Sequence, residues 1–157
     1  MNTLPAVFNK ENKQHDQFAP IFNHIDSGKS KMIIGGSTYK KEFSKLGNLV
    51  KILSELRRSQ KLVVADERAV DILEAAIAKK YPESKYADFN DKHIVALAYT
   101  TNARLVCTID KPLQNYLKIR AFYNKSKTRP KIFNESTKPS VLPQGNFKPE
   151  CILCKHR

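Results

Sequence analysis

The chain has 157 residues, with 28 Lys and Arg against 15 Asp and Glu, which gives a net charge of +13. A domain of this length buries about two-thirds of its unfolded surface without disulfides, and three cysteines are an odd number for a disulfide framework. The longest apolar run, residues 94–99, is far shorter than the ~20 residues of a membrane helix. The sequence therefore predicts a soluble, cytoplasmic protein with one folded domain and no membrane segment.

The excess of positive charge indicates a polyanionic partner, because Lys and Arg bind nucleic acids by neutralising phosphates and releasing counterions. The alternative is that the charge serves solubility alone. The densest basic cluster has no acid and surrounds Phe122 and Tyr123; its members are Lys118, Arg120, Lys125, Lys127, Arg129 and Lys131. Phosphate contacts with base stacking would suit a single strand. A solvated helix end with buried aromatic rings is the other interpretation, and the sequence leaves both open.

Hydrophobic periodicity and turn residues predict alternating helices and strands along the first half. Gly35-Gly36 makes a tight turn, Asp66 is the N-cap of a helix, and Pro82 prevents that helix from continuing. The predicted elements are a helix at 16–26, a strand at 31–34, a long helix at 37–58, a strand at 61–65 and a helix at 66–80.

The second half continues the alternation with a helix at 89–101, a strand at 104–109, a helix at 111–121 and a strand at 131–133. Pro112 falls in the first turn of the third of these elements, where proline is tolerated. Residues 134–157 contain scattered Pro, Gly and polar residues without a period, which indicates an extended or disordered basic tail. We therefore predict an α/β domain at residues 1–133, with a parallel sheet between two layers of helices.

Two carboxylates lie where the helix periodicity calls for apolar residues. Glu42 is near the centre of a stripe formed by Tyr39, Leu46, Leu49, Leu53 and Leu56, and Asp91 points within the arc of Ile94, Val95, Leu97 and Ala98. A third acid, Asp110, directly follows the strand at 104–109. Because ligands of open parallel sheets bind outside the carboxyl ends of the strands, we expect Glu42, Asp91 and Asp110 to converge there.

Three ionised carboxylates in one place repel one another unless they hold protons or a cation. Hard oxygen ligands select Mg²⁺ or Mn²⁺, and such an ion supports phosphodiester cleavage by activating water and stabilising negative charge. Each acid also has a structural alternative: Glu42 reaching solvent, Asp91 complementing a helix dipole, and Asp110 capping the next helix. For one acid alone we favour that alternative, but three together on a basic chain favour a metal site.

The segments around these acids resemble the acidic motifs of PIN-domain nucleases. The runs 90–98 and 104–110 are similar to the third and fourth motifs, and Lys40-Lys41-Glu42-Phe43 is similar to the second. The resemblance covers most of residues 1–133 and implies a PIN-like three-layer α/β/α fold and an endoribonuclease that cuts single-stranded RNA with Mg²⁺ or Mn²⁺. It also implies metal-ligand and catalytic roles for Glu42, Asp91 and Asp110, and an assisting role for Thr108.

Many members of the family are toxins of toxin–antitoxin pairs, so the resemblance implies an antitoxin protein or a second copy of the chain as protein partners. A DNA-directed flap or processing nuclease would use the same acids. Family members open with a strand that ends in Asp-x-Asn, and Asn2-Thr3-Leu4 matches the residues after that Asp, so the first acid of the pattern falls just before Met1. The alternative function is therefore a catalytically silent RNA- or partner-binding module of the same fold, and we expect an upstream extension to restore a central strand.

Three further positions carry weaker signals. Cys151, Cys154 and His156 offer three zinc-type ligands where a structural zinc site needs four, so a solvated tail is favoured over zinc binding. His93 follows Asp91 in the motif but lies off the apolar stripe, which predicts an exposed surface histidine. Cys107 is predicted to be a small core residue.

Overall fold

The computed structural model describes residues 3–47, 49–123 and 128–142. These ranges contain the helices α1 (Thr3–Phe8), α2 (His15–Asp26), α3 (Ser37–Ser44), α4 (Leu49–Arg58), α5 (Glu67–Lys80), α6 (Lys92–Thr101) and α7 (Lys111–Leu117), and the strands β1 (Met32–Ile34), β2 (Leu62–Val64), β3 (Leu105–Cys107) and β4 (Lys131–Phe133). Single 3₁₀ turns follow at Arg120–Phe122 and Pro139–Val141. This alternation of helices with parallel strands confirms the α/β class.

The prediction of one long helix from residue 37 to 58 is wrong. The helix ends at Ser44, and Gly47 adopts a left-handed φ of 51° before α4 begins at Leu49. Glycine adopts this conformation without the steric cost that a Cβ imposes, so it interrupts a helix whose apolar periodicity is continuous in the sequence. The short helix α1 is absent from the predicted elements, because six residues are too few to show a helical period.

The strands form two separate parallel pairs. β1 pairs with β2, with Met32 opposite Leu62, and β3 pairs with β4, with Leu105 opposite Lys131. In the described ranges no hydrogen-bonded ladder joins β1 to β3. The expected single parallel sheet is therefore present as two halves.

A cavity of about 250 Å³ is lined by residues of both sheet halves. Met32 and Ile33 of β1 and the whole of β3 contribute to its wall, together with side chains of α1 and α6. Strands of a parallel sheet are normally buried on both faces. Here Ile33, Ile34 and all three residues of β3 stay partly exposed, which is consistent with the open space beside them.

The apolar core lies around the two sheet halves. Phe18 of α2 packs against Phe133 of β4 with ring centroids 5.8 Å apart, and both side chains are fully buried. Val70 of α5 and Val95 of α6 are also fully buried, and those two helices pack against each other. Helix α3 contacts α4, α5 and α6, so its position depends on all three neighbours.

The N-terminus of α3 is fixed by side chains of α5. Its N-cap residue, Gly36, has a φ of 80°, and a Cβ there would lie 2.7 Å from Val70 Cγ1. Since glycine has no side chain to cap the helix, Asp71 does so from outside: it accepts hydrogen bonds from the Ser37 N–H at 2.8 Å and from the Ser37 hydroxyl. The Thr38 hydroxyl donates to Glu74 at 2.9 Å.

Part of the predicted tail packs on the domain. Leu142 is buried in the core, and the Asn134 side-chain amide donates to Gln114 Oε1 at 3.3 Å. The zinc-type residues Cys151, Cys154 and His156 lie outside the described residues. Within the described ranges, no helix has the length and apolar character needed to cross a membrane.

Replacing Asp71 with Ala should lower the stability of the protein at pH 7. The two hydrogen bonds from Ser37 lower the pKa of Asp71, so its contribution is present above the unfolded pKa of about 3.9 and is lost as the pH falls through the lower folded pKa. Urea unfolding of both proteins between pH 7 and pH 3 should show a deficit that shrinks in acid. A Ser37→Ala and Asp71→Ala double-mutant cycle isolates the hydroxyl bond, because Ser37→Ala keeps the backbone N–H. An Asp71→Ala protein as stable as the parent at pH 7 would contradict the capping role.

Candidate metal centre

Helices α3 and α6 bring three potential metal ligands together. Ligand atoms of Glu42, Asp91 and His93 all lie within 4.8 Å of one another. Glu42 is in the second half of α3, Asp91 directly precedes α6, and His93 lies in the first turn of α6. The packing of α3 on α6 therefore places two of the three predicted acids beside a histidine.

Asp91 occupies the N-cap position of α6 but does not cap the helix, because its side chain makes no capping hydrogen bond. Burial raises the pKa of Asp91 above its usual range, and the negative charges of Glu42 and Asp110 raise it further, while His93 opposes the shift. Asp91 is therefore not a cap, and the structural alternative for it stays the one predicted from the sequence, a negative charge that complements the dipole at the start of α6. Its carboxylate is available for a ligand.

His93 is buried, with 1% of its surface exposed, and the prediction of a surface histidine is wrong. The apolar stripe of α6 is wider than the sequence pattern indicates, because α3 covers the face that carries His93, whose ring lies 6.4 Å from that of Tyr39. In the described structure His93 Nε2 has no hydrogen-bond partner. Glu42 Oε2 lies 3.4 Å away, which is longer than a good hydrogen bond.

Asp110 lies close to this cluster but is not part of the group that could share one ion. It is the N-cap of α7, and one carboxylate oxygen accepts a hydrogen bond from the Leu113 N–H at 2.7 Å. The Thr108 hydroxyl accepts from the Asp110 N–H at 3.0 Å, and the Thr108 carbonyl accepts from Gln114. Thr108 therefore positions Asp110, whose charge acts on Asp91 from the same cavity wall.

Tyr39 forms an apolar wall beside the cluster. Its side chain is buried, and its pKa is raised well above the usual range by burial, with a smaller contribution from the negative charge of Glu42. The phenol consequently stays neutral. The sequence does not single out Tyr39 as the wall of the cluster, since Tyr39 is one of several apolar residues in the predicted stripe.

The predicted nucleic-acid-binding residues are described only in part. Lys118, Arg120, Arg129 and Lys131 are exposed, and the Arg129 guanidinium donates to the Lys118 carbonyl at 3.1 Å, which holds two of these segments together. Lys125 and Lys127 lie outside the described residues.

The two aromatic residues of the basic segment pack inward. The Phe122 ring lies 5.2 Å from that of Tyr81 and 6.1 Å from that of Phe89. Burial raises the pKa of Tyr123 to about 12, and its hydroxyl has no partner among the described residues. Of the two interpretations of this segment, the geometry favours inward-packed, partly buried aromatic rings over a stacking platform for bases.

No protein-family model matches the chain, and no curated protein or solved structure is significantly similar to it.

The two neighbouring N-cap aspartates provide a matched pair of substitutions. Asp110→Ala should cost about 1 kcal/mol, because it removes a capping hydrogen bond, whereas Asp91→Ala should be neutral or stabilising at pH 7. Because the folded pKa of Asp91 is raised, its protonated form stabilises the protein in acid, and this contribution is lost as the pH rises through the folded pKa. The stability that Asp91→Ala gains at pH 7 should therefore disappear in acid. Urea unfolding with EDTA measures both, and equal losses would show that Asp91 is also a structural cap.

Proposed function

We propose that the protein is a metal-dependent endoribonuclease that cuts single-stranded RNA. The observation that carries the proposal is the cluster of Glu42, Asp91 and His93, in which one carboxylate lacks the cap bond its position calls for and one buried imidazole nitrogen has no hydrogen-bond partner among the described residues. A buried polar atom without a partner costs free energy unless a ligand satisfies it. A divalent cation would satisfy His93 and would offset the burial, and to a smaller extent the neighbouring negative charges, that raise the pKa of Asp91.

The donor set fits a divalent cation of intermediate hardness. Two carboxylates suit Mg²⁺ and Mn²⁺, whereas an imidazole is a poor ligand for Mg²⁺ and is accepted by transition metals. We therefore propose Mn²⁺ in preference to Mg²⁺, held by Glu42, Asp91 and His93. When bound, such an ion lowers the pKa of water and stabilises negative charge on a phosphate.

The surrounding residues would orient the substrate and control access of water. The neutral Tyr39 ring closes one side of the cluster and excludes water from His93. Asp110 is held by its cap bond and by Thr108, which leaves its second carboxylate oxygen for a water or a substrate hydroxyl. The exposed Lys118, Arg120 and Lys131 would bind the phosphates of the strand.

The PIN-like three-layer arrangement and a role as the toxin of a toxin–antitoxin pair belong to this proposal. They are supported by the motif resemblance around Glu42, Asp91 and Asp110 and by the α/β alternation of the chain. An antitoxin or a second copy of the chain would then be the protein partner.

The second candidate is a catalytically silent RNA- or partner-binding module. Two observations favour it: Asp110 is engaged as a cap, and Glu42 Oε2 lies only 3.4 Å from His93 Nε2, so a small shift would pair them without an ion. The two functions differ in metal binding, which the silent module does not require.

Cleavage of a single-stranded RNA should require added Mn²⁺ and be supported less well by Mg²⁺. Asp91→Asn and Glu42→Gln should lower the rate by at least about 100-fold, since the amide keeps the shape of the side chain but removes the charge that holds the cation. Metal affinity, measured by calorimetry, should fall in the same variants and in His93→Leu.

Glu83→Gln is the matched control, because it removes one negative charge at an exposed position. It should leave both metal affinity and cleavage unchanged. Tight RNA binding without any metal binding would establish the silent module instead.

RNA affinity should fall steeply with salt, and the exposed basic residues should account for part of the slope. Replacing Lys118, Arg120 and Lys131 together with Gln should reduce the log–log salt slope by about 0.7 for each phosphate that the variant no longer neutralises. Fluorescence anisotropy with a labelled single strand measures this. A second triple variant with the same change of charge, at the exposed Lys10, Lys13 and Lys79, is the control, and equal effects would show that the cluster has no special role.

A further inference from the structure

The segment that leads into Asp91 belongs to a cluster of five aromatic rings. The cluster joins the C-cap of α5, helix α7 and the 3₁₀ turn after it, and its members are Tyr81, Tyr86, Phe89, Tyr116 and Phe122. Aromatic side chains beside cations are the usual stacking partners of bases in single strands. We propose that the exposed face of Tyr116 stacks with one base of the RNA strand, next to the scissile phosphate. This stacking site deepens the proposed function and rests on it.

Phe89 fixes the orientation of the Tyr116 ring. The two rings stack face to face, with centroids 3.7 Å apart and 4° between their planes. Phe89 is almost fully buried, so the face of Tyr116 that it covers is closed to a ligand. Tyr116 is nevertheless partly exposed, so its exposed atoms lie on the opposite face and on the ring edges. A base could stack there without displacing Phe89.

A hydrogen bond holds the other end of the Tyr116 side chain. The Tyr116 hydroxyl donates to Asp88 Oδ1 at 2.8 Å. This bond raises the pKa of Tyr116 to about 12, so the phenol stays neutral at pH 7. Because the stack on Phe89 and the bond to Asp88 restrain the ring at two points, little side-chain entropy remains to be lost when a base stacks on it. The ring is therefore preorganised for stacking.

The chain connectivity places this ring near the candidate metal centre. Phe89 is two residues before Asp91, so their Cα atoms are at most about 7 Å apart. Tyr116 lies in the last turn of α7, the helix that Asp110 caps. Tyr116 thus packs on the segment that carries one of the proposed metal ligands. A strand with its scissile phosphate at the ion would bring a neighbouring base to this ring.

Positive charges surround the same ring. Lys118 and Arg120 follow Tyr116 closely in the chain and are exposed, and Lys92 Nζ lies 5.0 Å from the Phe89 ring centroid. Single strands bind to surfaces that combine such cations, which hold the phosphates, with an aromatic face, which holds a base. The exposed carboxylate of Asp88 repels phosphates, so the strand is expected to pass on the side of Lys118 and Arg120.

The first test measures binding of a single-stranded RNA of about eight nucleotides, in EDTA so that no cleavage occurs. Tyr116→Leu keeps an apolar cover over Phe89 but removes the aromatic face, so affinity should fall by at least about fivefold. The log–log salt slope should stay the same, because stacking releases no counterions. Tyr116→Phe should retain the affinity of the parent. Tyr86→Leu is the matched control, since it makes the same change at another partly exposed ring of the cluster, and it should retain that affinity too.

The second test uses fluorescence. The chain contains no tryptophan, so Tyr116→Trp gives an emission that reports on this position alone. A strand of adenosines should quench this emission. A strand of the same length with abasic sites carries the same phosphates but no bases, and it should bind without quenching. Tyr86→Trp is the matched control and should show little quenching with either strand. This variant keeps an aromatic ring at position 116, so the test stands even if Tyr116→Leu fails to fold.

Three results would overturn the stacking site. They are parent affinity in a folded Tyr116→Leu variant, an equal loss of affinity in Tyr86→Leu, and unquenched Tyr116→Trp emission with the adenosine strand bound. Failure to bind any single strand would overturn it together with the RNA-directed function. Quenching without Mn²⁺-dependent cleavage would remove the nuclease function and leave the stacking site, whereas cleavage without quenching would remove the stacking site alone.

Discussion

The attachment of α3 to α5 and α6 is the constraint on which the candidate site depends. The chain must turn sharply after β1, which requires Gly36, and the helix that follows begins without a cap of its own. Asp71 supplies the cap from α5 and thereby fixes the start of α3 at a point that also packs against α6. Glu42 of α3 reaches His93 of α6 only because the packing of α3 on both α5 and α6 sets the distance between α3 and α6.

The two N-cap aspartates show how similar positions take different roles. Asp91 and Asp110 both precede a helix, but only Asp110 gives its carboxylate to the backbone of that helix. Thr108 holds Asp110 in its capping position, whereas Asp91 is partly desolvated among other charges and carries a raised pKa. A carboxylate with a raised pKa that lines a cavity and makes no capping bond is a functional candidate, because perturbed titratable groups cluster at functional sites.

The division of the sheet into two strand pairs affects both the stability of the fold and the position of the candidate metal centre. Two parallel pairs of three-residue strands border one cavity, and the Thr3 hydroxyl donates to the Cys107 carbonyl beside it. The acids on the rim of this space depend on the same strands for their position.

The sequence alone determined the α/β alternation, most of the helices and strands, the N-cap Asp66 and the unusual placement of Glu42 and Asp91, because these follow from local periodicity and capping chemistry. It did not determine the break at Gly47 or the burial of His93. The break follows from the left-handed φ of Gly47, which the continuous apolar period of this segment hides. The burial of His93 is decided by how α3 packs on α6, and such a contact between distant segments leaves no period in the sequence. The separation of the sheet into two halves was likewise decided by tertiary structure, since strand neighbours are set by pairing across the whole chain.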